Sequence, residues 1–370
     1  MKKRIISIIA MAALGMSLFT GCGGSKAATD APADGAAAQT QESTEAAPAD
    51  GAQAQTQESA PADQAKAIVG SQDIIEGSIV SKAGNYFQEE MGPDTEVRMF
   101  DAGRDVNNAL MSGSVDFGNF GVVPTAVGLT AGNDFKVIWI ACLIRQSECL
   151  IVREGSGIET VADLKGKKVA ATTASSGHYG LICSLEDAGL TIDDVELVDM
   201  NPTDTYAAWE RGDIDATYTW NPTALRLQQD GGKMIMSGAE LAKTGHPTIN
   251  FHVVRREFAE AHPEQVKNYI KAVARGTQLY HDNEAEALEL MAPYLNMTTD
   301  EVKSLMVDEY LTLDEQMGDN AFGNDTAAKA IADVAQFLKD AGQIDDAKDL
   351  EFFKSKIDTS YLEEVLAEGL

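Results

Sequence analysis

Four short segments place polar or aromatic side chains directly after predicted strands. They contain hydroxyl groups, amides, glycines and an indole, whose O–H and N–H groups can bind an anion. Because small ligands of open parallel sheets bind outside the carboxyl ends of the strands, we consider these segments candidate binding loops. The segments are Ser71-Gln72, Gly118-Asn119-Phe120-Gly121, Ala174-Ser175-Ser176-Gly177-His178-Tyr179 and Tyr218-Thr219-Trp220-Asn221.

The same residues, taken singly, have ordinary structural explanations. Ser175 and Ser176 are typical of a helix N-cap. Trp220 alone is typical of a core residue, and His178 of a buried structural histidine. Gly121 alone is a weak signal. Binding is favoured as an interpretation because all four segments belong to one predicted rim.

Sequence motifs for catalysis do not occur in a suitable context: we find no GxSxG, HExxH, P-loop or GxGxxG pattern there. His246 and His252 are six residues apart and bracket a predicted strand start, which is not typical of a pair of metal ligands. We therefore expect no enzymatic activity, no metal and no cofactor.

The cysteines do not indicate a disulfide framework. Cys142, Cys149 and Cys183 remain once Cys22 is assigned to a lipid (below), and their spacing is neither CxxC nor zinc-like. We expect small apolar roles in strands and a helix, with a Cys142–Cys149 disulfide as an alternative.

The elements that would position the candidate loops alternate between strand-like and helical patterns from about residue 67. This alternation predicts an α/β fold with sheets covered by helices, and the pattern becomes helical after about residue 258. Helices are predicted over 104–112, 177–188 and 204–211. Strands are predicted over 67–70, 96–100, 115–118, 136–143, 148–153, 167–172, 195–200, 214–219 and 250–255.

Two segments about 100 residues apart resemble each other. Residues 109–129 and 208–227 both contain a helix end, a glycine, a polar residue, Val or Ile, and then an aspartate, Asp116 or Asp215. A strand, a loop and Pro-Thr-Ala follow in each. Chance similarity of α/β sequences is the alternative, but two lobes built on one plan would produce this pattern.

The N-terminus has the pattern of an export signal. A basic start is followed by an apolar run over 5–19 that is too short to cross a bilayer comfortably. Phe19-Thr20-Gly21-Cys22 resembles a bacterial lipobox, although Leu is usual where Phe19 stands. We predict a lipoprotein signal peptide over 1–21 and lipid attachment at Cys22; an ordinary signal peptide that contains a cysteine is the alternative.

Residues 22–65 are expected to form a disordered, lipid-anchored linker. This stretch is of low complexity and contains the near-identical segments APADGAAAQTQES at 31–43 and APADGAQAQTQES at 47–59. Because it has almost no large apolar residues, it cannot bury enough surface to offset the entropy of ordering.

The charge balance excludes some classes of partner. The 370 residues include 58 Asp and Glu against 29 Lys and Arg, a net charge of -29. Such acidity argues against binding nucleic acid or an anionic membrane surface. It does not exclude a small anion, because helix N-termini can make a buried site locally positive.

The folded body from about 67 to 350 resembles the taurine-binding periplasmic proteins of ABC importers, within the wider nitrate, sulfonate and thiamine-precursor binding group. The segments that carry the resemblance are FDAG at 100–103, GNFGVVP at 118–124, SECLIVR at 147–153, DLKGKKVA at 163–170, SSGHY at 175–179, AAWERGDIDATYTWNP at 207–222, GHPTINFHVVRREFAEAHPEQVK at 245–267 and QFLKDAG at 336–342.

The resemblance implies a two-lobed, type II periplasmic-binding-protein fold with mixed sheets flanked by helices. Lobe 1 would comprise 66–147 with 251–370, and lobe 2 would comprise 148–250. A monomer would bind a small sulfonate between the lobes and deliver it to an ABC permease that works with a separate ATPase. The protein would be extracytoplasmic and lipid-anchored to the cell membrane, facing a periplasm or the outside of a single-membrane cell.

The resemblance also suggests which residues contact the ligand. Neutral donors and backbone N–H groups would hold the sulfonate, and acidic residues would face an amine. The suggested residues are Gln72, Asn119, Phe120 and Gly121 in one lobe, Glu148 near the crossover, Ser175, Ser176, His178 and Trp220 in the other lobe, and Asn250.

Asn250 departs from the family pattern, because the taurine binders carry Asp at the matching position. A neutral amide lacks the charge-assisted hydrogen bond that a carboxylate offers to an ammonium. A ligand without the amine, such as isethionate or a short alkanesulfonate, is therefore an alternative to taurine. Further alternatives are nitrate, a thiamine precursor or an aromatic sulfonate as ligand, and a ligand-sensing receptor lipoprotein. The related thiamine-pyrimidine synthase activity is disfavoured, because an iron-site cysteine cluster is lacking.

Overall fold

The computed structural model describes residues 65–72 and 74–369. The predicted signal peptide, the predicted lipid-attachment residue Cys22 and the predicted linker up to residue 64 lie outside the described residues. None of the helices in the described ranges has both the length and the apolar character that crossing a membrane requires.

The first of two five-stranded sheets is mixed. Its strand order is β2-β1-β3-β10-β4, in which β1 pairs in parallel with β2 and β3 while β10 pairs antiparallel with β3 and β4. The strands are β1 (Ile68–Gln72), β2 (Glu96–Phe100), β3 (Phe117–Gly121), β4 (Phe135–Leu143) and β10 (Ile249–Arg255).

The second sheet repeats this plan with the order β7-β6-β8-β5-β9. Here β6 pairs in parallel with β7 and β8, while β5 pairs antiparallel with β8 and β9. The strands are β5 (Glu148–Arg153), β6 (Lys168–Ala171), β7 (Glu196–Asp199), β8 (Ala216–Trp220) and β9 (Gly232–Ser237).

Helices flank both sheets, as the alternating pattern predicted. We call the first sheet with α1–α4 and α9–α15 the first lobe, and the second sheet with α5–α8 the second lobe. The helices are α1 (Gly77–Ala83), α2 (Tyr86–Met91), α3 (Gly103–Met111), α4 (Val122–Thr130), α5 (Ser176–Asp187), α6 (Pro202–Arg211), α7 (Thr223–Gln229), α8 (Gly238–Lys243), α9 (Arg256–Ala261), α10 (Pro263–Asp282), α11 (Glu284–Leu295), α12 (Thr299–Leu305), α13 (Thr326–Asp340), α14 (Leu350–Lys354) and α15 (Ser360–Glu368).

The cores of the lobes differ in composition. In the first lobe, aromatic rings fill the space between the sheet and α10: Tyr269 stacks on Phe117 with ring centroids 4.2 Å apart and on Phe87 at 5.3 Å. The second lobe buries two smaller clusters, one containing Leu150 and one containing Trp209. Burial of these apolar surfaces makes the main favourable contribution to the free energy of packing each sheet against its helices.

The two copies of the internal repeat occupy equivalent positions. Asp116 precedes β3 and accepts a hydrogen bond from the backbone N–H of Ile68, at the start of β1, at 3.0 Å. Asp215 precedes β8 and accepts the corresponding bond from Lys168, at the start of β6, at 2.9 Å. Each aspartate thereby fixes the register of two parallel strands, which explains why both copies carry it.

Three predicted strands continue further than the sequence indicated. β1, β3 and β8 run through Gln72, Gly121 and Trp220, so the residues predicted as loops there are strand ends. Polar residues are tolerated in these strands because they bond to each other: Gln72 Nε2 donates to the carbonyl of Asn119 at 2.9 Å. Strand β9, with the sequence GKMIMS, was not predicted. The predicted helices agree with α3, α5 and α6 within two residues.

Candidate functional site

A cavity of about 280 Å³ lies between the two lobes, where the ends of several strands meet. Gln72, Gly121 and Trp220 are the last residues of β1, β3 and β8, and Glu148 is the first residue of the antiparallel strand β5. The lining residues are Gln72, Ile74, Gly103, Gly121, Pro124, Glu148, Ser175, Ser176, Trp220 and Asn250.

Most of the residues suggested from the sequence come together in this lining, but three do not. Phe120 is fully buried and packs edge-on against Phe135, because successive strand residues point to opposite faces and Gly121 takes the cavity face. Asn119 bonds to Gln72 and Glu76 behind the cavity wall. His178 is buried in the first turn of α5 and, among the described residues, has no partner for its Nε2 atom.

Two helix N-termini, one from each lobe, converge on the cavity. α4 begins directly after Gly121, and α5 begins at Ser176. The first backbone N–H groups of a helix have no partner within the helix and carry partial positive charge. This arrangement can hold an anion without a charged side chain.

The hydroxyl groups of Ser175 and Ser176 have different roles. Ser175 is the N-cap of α5: its Oγ accepts from the backbone N–H of His178 at 3.2 Å and donates to the carbonyl of Thr172 at 2.5 Å. Ser176 Oγ donates to Glu148 Oε1 at 2.5 Å. The structural explanation therefore holds for Ser175, while Ser176 bonds directly to a side chain of the cavity.

Gly121 allows the two lobes to approach closely. A Cβ atom at this position would lie 2.9 Å from Ser176 Oγ and 3.2 Å from Asn250 Oδ1. The first distance is below normal van der Waals contact. The absence of a side chain therefore brings the start of α4 next to the start of α5.

Glu148 is a carboxylic acid in an apolar and acidic environment. Burial raises its pKa to about 8; the hydrogen bond from Ser176 lowers the pKa, and the nearby Asp308 raises it. Since desolvation disfavours the charged form, Glu148 is largely protonated at neutral pH. It can then donate a hydrogen bond to an anion, or it can ionise when a cation binds.

The cavity continues into a second compartment of about 240 Å³. The two compartments share Ile74, Glu148, Trp220 and Asn250, and the second adds Asp308. Asp308 was not predicted from the sequence, because this residue lies in an irregular segment after α12 rather than at a strand end.

A buried hydrogen-bond network behind the first compartment was also missed. Asn119 Oδ1 accepts from the backbone N–H of Gln72 at 3.1 Å, and Asn119 Nδ2 donates to Glu76 Oε1 at 2.6 Å. The same Glu76 oxygen lies 3.0 Å from His252 Nε2, and His252 Nδ1 lies 2.7 Å from the Tyr269 hydroxyl. The network fixes the end of β1, and thus Gln72, at the cavity.

The pKa of Glu76 shows how this network holds a buried charge. Burial alone would raise the pKa of Glu76. The pKa is lowered instead, because three neighbours favour the carboxylate: His252 by its charge and its hydrogen bond, Ser78 by a hydrogen bond and Lys82 by its charge. Glu76 is therefore a carboxylate inside the first lobe, compensated by its neighbours.

The three described cysteines are free and buried. Cys142 lies on β4, where its Sγ accepts from Asn250 Nδ2 at 3.5 Å. The Cys142–Cys149 disulfide that the sequence left open is not formed. Across the described ranges, no group of three or more His, Cys, Asp or Glu side chains is arranged to hold a metal ion.

Comparison with known proteins identifies the family. The model of the family described as NMT1/THI5 like matches residues 74–287. This match covers more than half of the chain. The chain belongs to the NMT1/THI5-like family.

Relatives of this NMT1/THI5-like protein include sulfonate binders. The taurine-binding periplasmic protein of Escherichia coli K12 is 34% identical over 293 residues, which cover 76% of this chain and 90% of that protein. A putative aliphatic sulfonates-binding protein of the same organism is 28% identical over 241 residues, 64% of this chain and 74% of that protein. These similarities confirm the resemblance to taurine-binding periplasmic proteins.

Solved structures confirm the fold of this NMT1/THI5-like chain. The alkanesulfonate-binding protein SsuA from Xanthomonas axonopodis pv. citri, bound to MOPS, superimposes with a TM-score of 0.68 at 22% identity, covering 80% of this chain and 99% of that one. The desulfurization enzyme DSZB gives a TM-score of 0.58 at 16% identity, covering 82% and 100%. The two-lobed fold of periplasmic binding proteins is thus present, and the same fold also occurs in an enzyme.

Proposed function

We propose that this NMT1/THI5-like protein is the extracytoplasmic substrate-binding subunit of an ABC importer, and that it binds taurine or a related small aliphatic sulfonate between its lobes. The observation that carries the proposal is the convergence of two helix N-termini, one from each lobe, on a small cavity that also contains a carboxylic acid. A sulfonate at the helix ends would contact both lobes at once.

The chemistry of the lining favours an anion held by neutral donors. The described lining residues include Ser176, Gln72 and Trp220 as side-chain donors but no Lys or Arg. Backbone N–H groups at the starts of α4 and α5 add partial positive charge, and these groups need not rearrange when an anion binds. A site of this kind can be selective for an anion even though the whole protein carries a net charge of -29.

The dimensions of the cavity favour a small ligand. The space among the lining residues of the first compartment is only about 280 Å³, part of which is open to solvent. Trp220 and Pro124 offer apolar contacts for a short aliphatic stem.

Transport would follow from closure of the lobes. A ligand that contacts both lobes binds the closed state more tightly than the open state and so shifts the population toward closure. The closed form would dock on a membrane permease, and a separate ATPase would drive release. A lipid on Cys22 would keep the protein close to that permease and raise its effective concentration there.

We further propose that the protein has no catalytic activity of its own and acts as a monomer. Both sequence relatives described above are named as binding proteins. Incubation with each sulfonate, followed by assay for sulfite release, tests the first part; any turnover by the purified protein would contradict it.

Calorimetry of the purified protein with taurine, isethionate, ethanesulfonate and sulfate tests the sulfonate proposal. We expect at least one of the three organic sulfonates to bind, and sulfate to bind more weakly. Ser176→Ala should weaken binding, because it removes a hydroxyl group from the cavity. Ser184→Ala is the matched control, since Ser184 lies on the same helix and its hydroxyl group donates to the carbonyl of Gly180, away from the cavity lining. If no organic sulfonate binds, the proposed ligand class is wrong.

A further inference from the structure

We propose that Asp308 and Glu148 form a cation subsite in the second compartment, so that the cavity is built for a zwitterion with its anion at the helix ends and its ammonium between these two acids. The inference rests on the proposed sulfonate function and deepens it. It assigns the role of the carboxylate that is missing at position 250 to a residue from a different part of the chain.

Asp308 is held in place through one carboxylate oxygen. Its Oδ1 accepts hydrogen bonds from the backbone N–H groups of Arg145, Gln146 and Ser147, at 2.7, 3.1 and 3.2 Å. These residues form the crossover between the two lobes. Oδ2 lies 4.0 Å from Cys142 Sγ, and the Ser147 hydroxyl group also bonds to this carboxylate. Asp308 lines the second compartment, where a ligand can reach it.

The side chain of Asn250 gives an independent indication that a donor binds here. Asn250 is 6% exposed and lines both compartments. Its Nδ2 donates to Cys142 Sγ, whereas its Oδ1 has no hydrogen-bond donor in the described part of the chain. This oxygen is not fully enclosed by protein atoms and lies at the cavity, so a ligand N–H group there can donate to it.

The acceptors at this end match the donors of an ammonium group. Asn250 Oδ1, the Glu148 carboxyl group and Asp308 Oδ2 supply three acceptors, and a primary ammonium carries three N–H donors. The described residues lining the second compartment include no Lys, Arg or His. The backbone N–H groups at the starts of α4 and α5 offer the donors for the sulfonate.

The electrostatics of the two acids agree with this assignment. In the described structure Glu148 faces Asp308, the thiols of Cys142 and Cys149 and the phenol of Tyr218, all of them acids. Asp308 faces Cys142 and Tyr310. Burial raises the pKa of Asp308, against the lowering effect of its hydrogen bonds, and that of Glu148 to about 8. A bound cation would favour the ionised acids, so its binding at neutral pH should release a proton from Glu148.

Asp308→Asn separates the proposed role from anchoring of the crossover. The amide oxygen can still accept from the three backbone N–H groups, while the charge is lost. Asp349→Asn is the matched control, because Asp349 also accepts a backbone N–H bond, from Phe352 at 2.8 Å, but lies at the N-cap of α14. Each variant and the unmodified protein are titrated with taurine and with isethionate by calorimetry.

We expect Asp308→Asn to weaken taurine binding by about tenfold or more, because the ammonium loses a charge-assisted hydrogen bond. Isethionate, which has no ammonium, should bind nearly as before. Asp349→Asn should change neither. Titrations in two buffers of different ionisation enthalpy should show proton release with taurine and none with isethionate.

Three results would overturn the inference. Equal loss of both ligands, or no loss of taurine, would make Asp308 an anchor of the crossover alone. If the unmodified protein binds isethionate but not taurine, the proposed cation subsite is wrong, while the proposal of a sulfonate ligand still stands. Binding of neither would contradict the proposed ligand class itself.

Discussion

Arg104 and Asp199 join the two lobes beside the cavity. Arg104 lies on α3 of the first lobe, and its Nη1 donates to Asp199 Oδ1 at 2.9 Å and to Oδ2 at 3.1 Å at the end of β7 in the second lobe. The guanidinium also donates to Thr173 Oγ1 at 2.9 Å and to Asn201 Oδ1 at 2.8 Å. Every one of these acceptors belongs to the second lobe, so the bonds can form only while the lobes are close.

The first prediction is that Arg104→Ala lowers ligand affinity without selecting between ligands. The pair is partly exposed, with side-chain accessibilities of 27% and 47%, so solvent screens much of its energy. We expect taurine and isethionate to bind about two- to fivefold more weakly, as for a modest surface ion pair. Small-angle X-ray scattering should show a larger radius of gyration for the unliganded variant than for the unliganded, unmodified protein.

Arg275→Ala is the control for Arg104. Arg275 also forms ion pairs and lies over an aromatic ring, but its partners Glu89, Glu90 and Tyr86 belong to its own lobe. Its loss should leave affinity unchanged. A selective effect of Arg104→Ala on one ligand would show that Arg104 acts on the ligand rather than on closure.

The second prediction concerns the pH dependence of stability. Glu148 ionises near its ordinary value of 4.5 when the chain is unfolded but at about 8 when it is folded. Between these values the folded state binds more protons, so this group's contribution to the free energy of unfolding falls as pH rises from about 4.5 to 8. The slope is at most about 1.4 kcal/mol per pH unit for one proton.

Glu148→Gln removes this titration and should flatten the profile. Urea denaturation at pH 5, 6, 7 and 8 measures it: the unmodified protein should lose stability over this range by more than the variant does. Glu210→Gln, an exposed residue on α6, should keep the slope of the unmodified protein. Parallel profiles for Glu148→Gln and the unmodified protein would mean that Glu148 ionises normally in the fold.

The third prediction is that the Glu76–His252 pair is strongly coupled. Both side chains are 1% exposed, and removing one partner leaves the other as an uncompensated buried polar group. We expect Glu76→Ala to lower the free energy of unfolding by about 3–5 kcal/mol, with a further loss of affinity because Gln72 is no longer fixed.

A double-mutant cycle with His252→Ala separates this coupling from the stability that is lost because each truncated side chain leaves empty space in the core. The combined variant should be more stable than the sum of the two single losses predicts. The exposed pair Arg211–Asp213 provides the comparison, and its cycle should show little or no coupling. Additive losses at Glu76 and His252 would contradict a coupled pair.

Part of the site could be predicted from the sequence, because small ligands of parallel sheets bind at the carboxyl ends of the strands. Gln72, Gly121 and Trp220 each end a strand, and the carboxyl ends of neighbouring parallel strands share an edge. The hydroxyl groups before α5 follow the same rule. Errors arose where side-chain direction matters: Phe120 directly precedes Gly121, which faces the site, but the ring of Phe120 faces the core.

The remaining residues could not be predicted because distant parts of the chain bring them together. Asp308 reaches the crossover from an irregular segment more than 160 residues away. Glu76 meets His252 across 176 residues, inside a single lobe. No local pattern marks such acids, because most acidic residues of a folded protein are solvated. Strand β9 was missed for a simpler reason, since Lys and Met carry little strand preference.

The fourth prediction uses Gly121, whose backbone does not require glycine. Its φ of -70° and ψ of 171° suit any residue, so alanine there strains no dihedral angle. The added Cβ would lie 2.9 Å from Ser176 Oγ, and Ser176 belongs to the opposite lobe. Alanine should therefore oppose closure more than it weakens the first lobe, in which the nearest atom, Asn250 Oδ1, would be 3.2 Å from the Cβ. We expect Gly121→Ala to lower sulfonate affinity by about tenfold, because the shorter contact forms only in the closed state, while the midpoint of urea denaturation changes little.

Gly128→Ala, on the helix α4 that follows Gly121, should give the opposite outcome and completes the test. A Cβ at Gly128 would lie 2.5 Å from Asn107 Nδ2, inside the first lobe, and so opposes folding rather than closure. This variant should lower the denaturation midpoint and leave the affinity of the folded fraction nearly unchanged. If Gly121→Ala instead lowered the denaturation midpoint as Gly128→Ala does, the contact of Gly121 with Ser176 would be part of the unliganded fold and not a feature of closure.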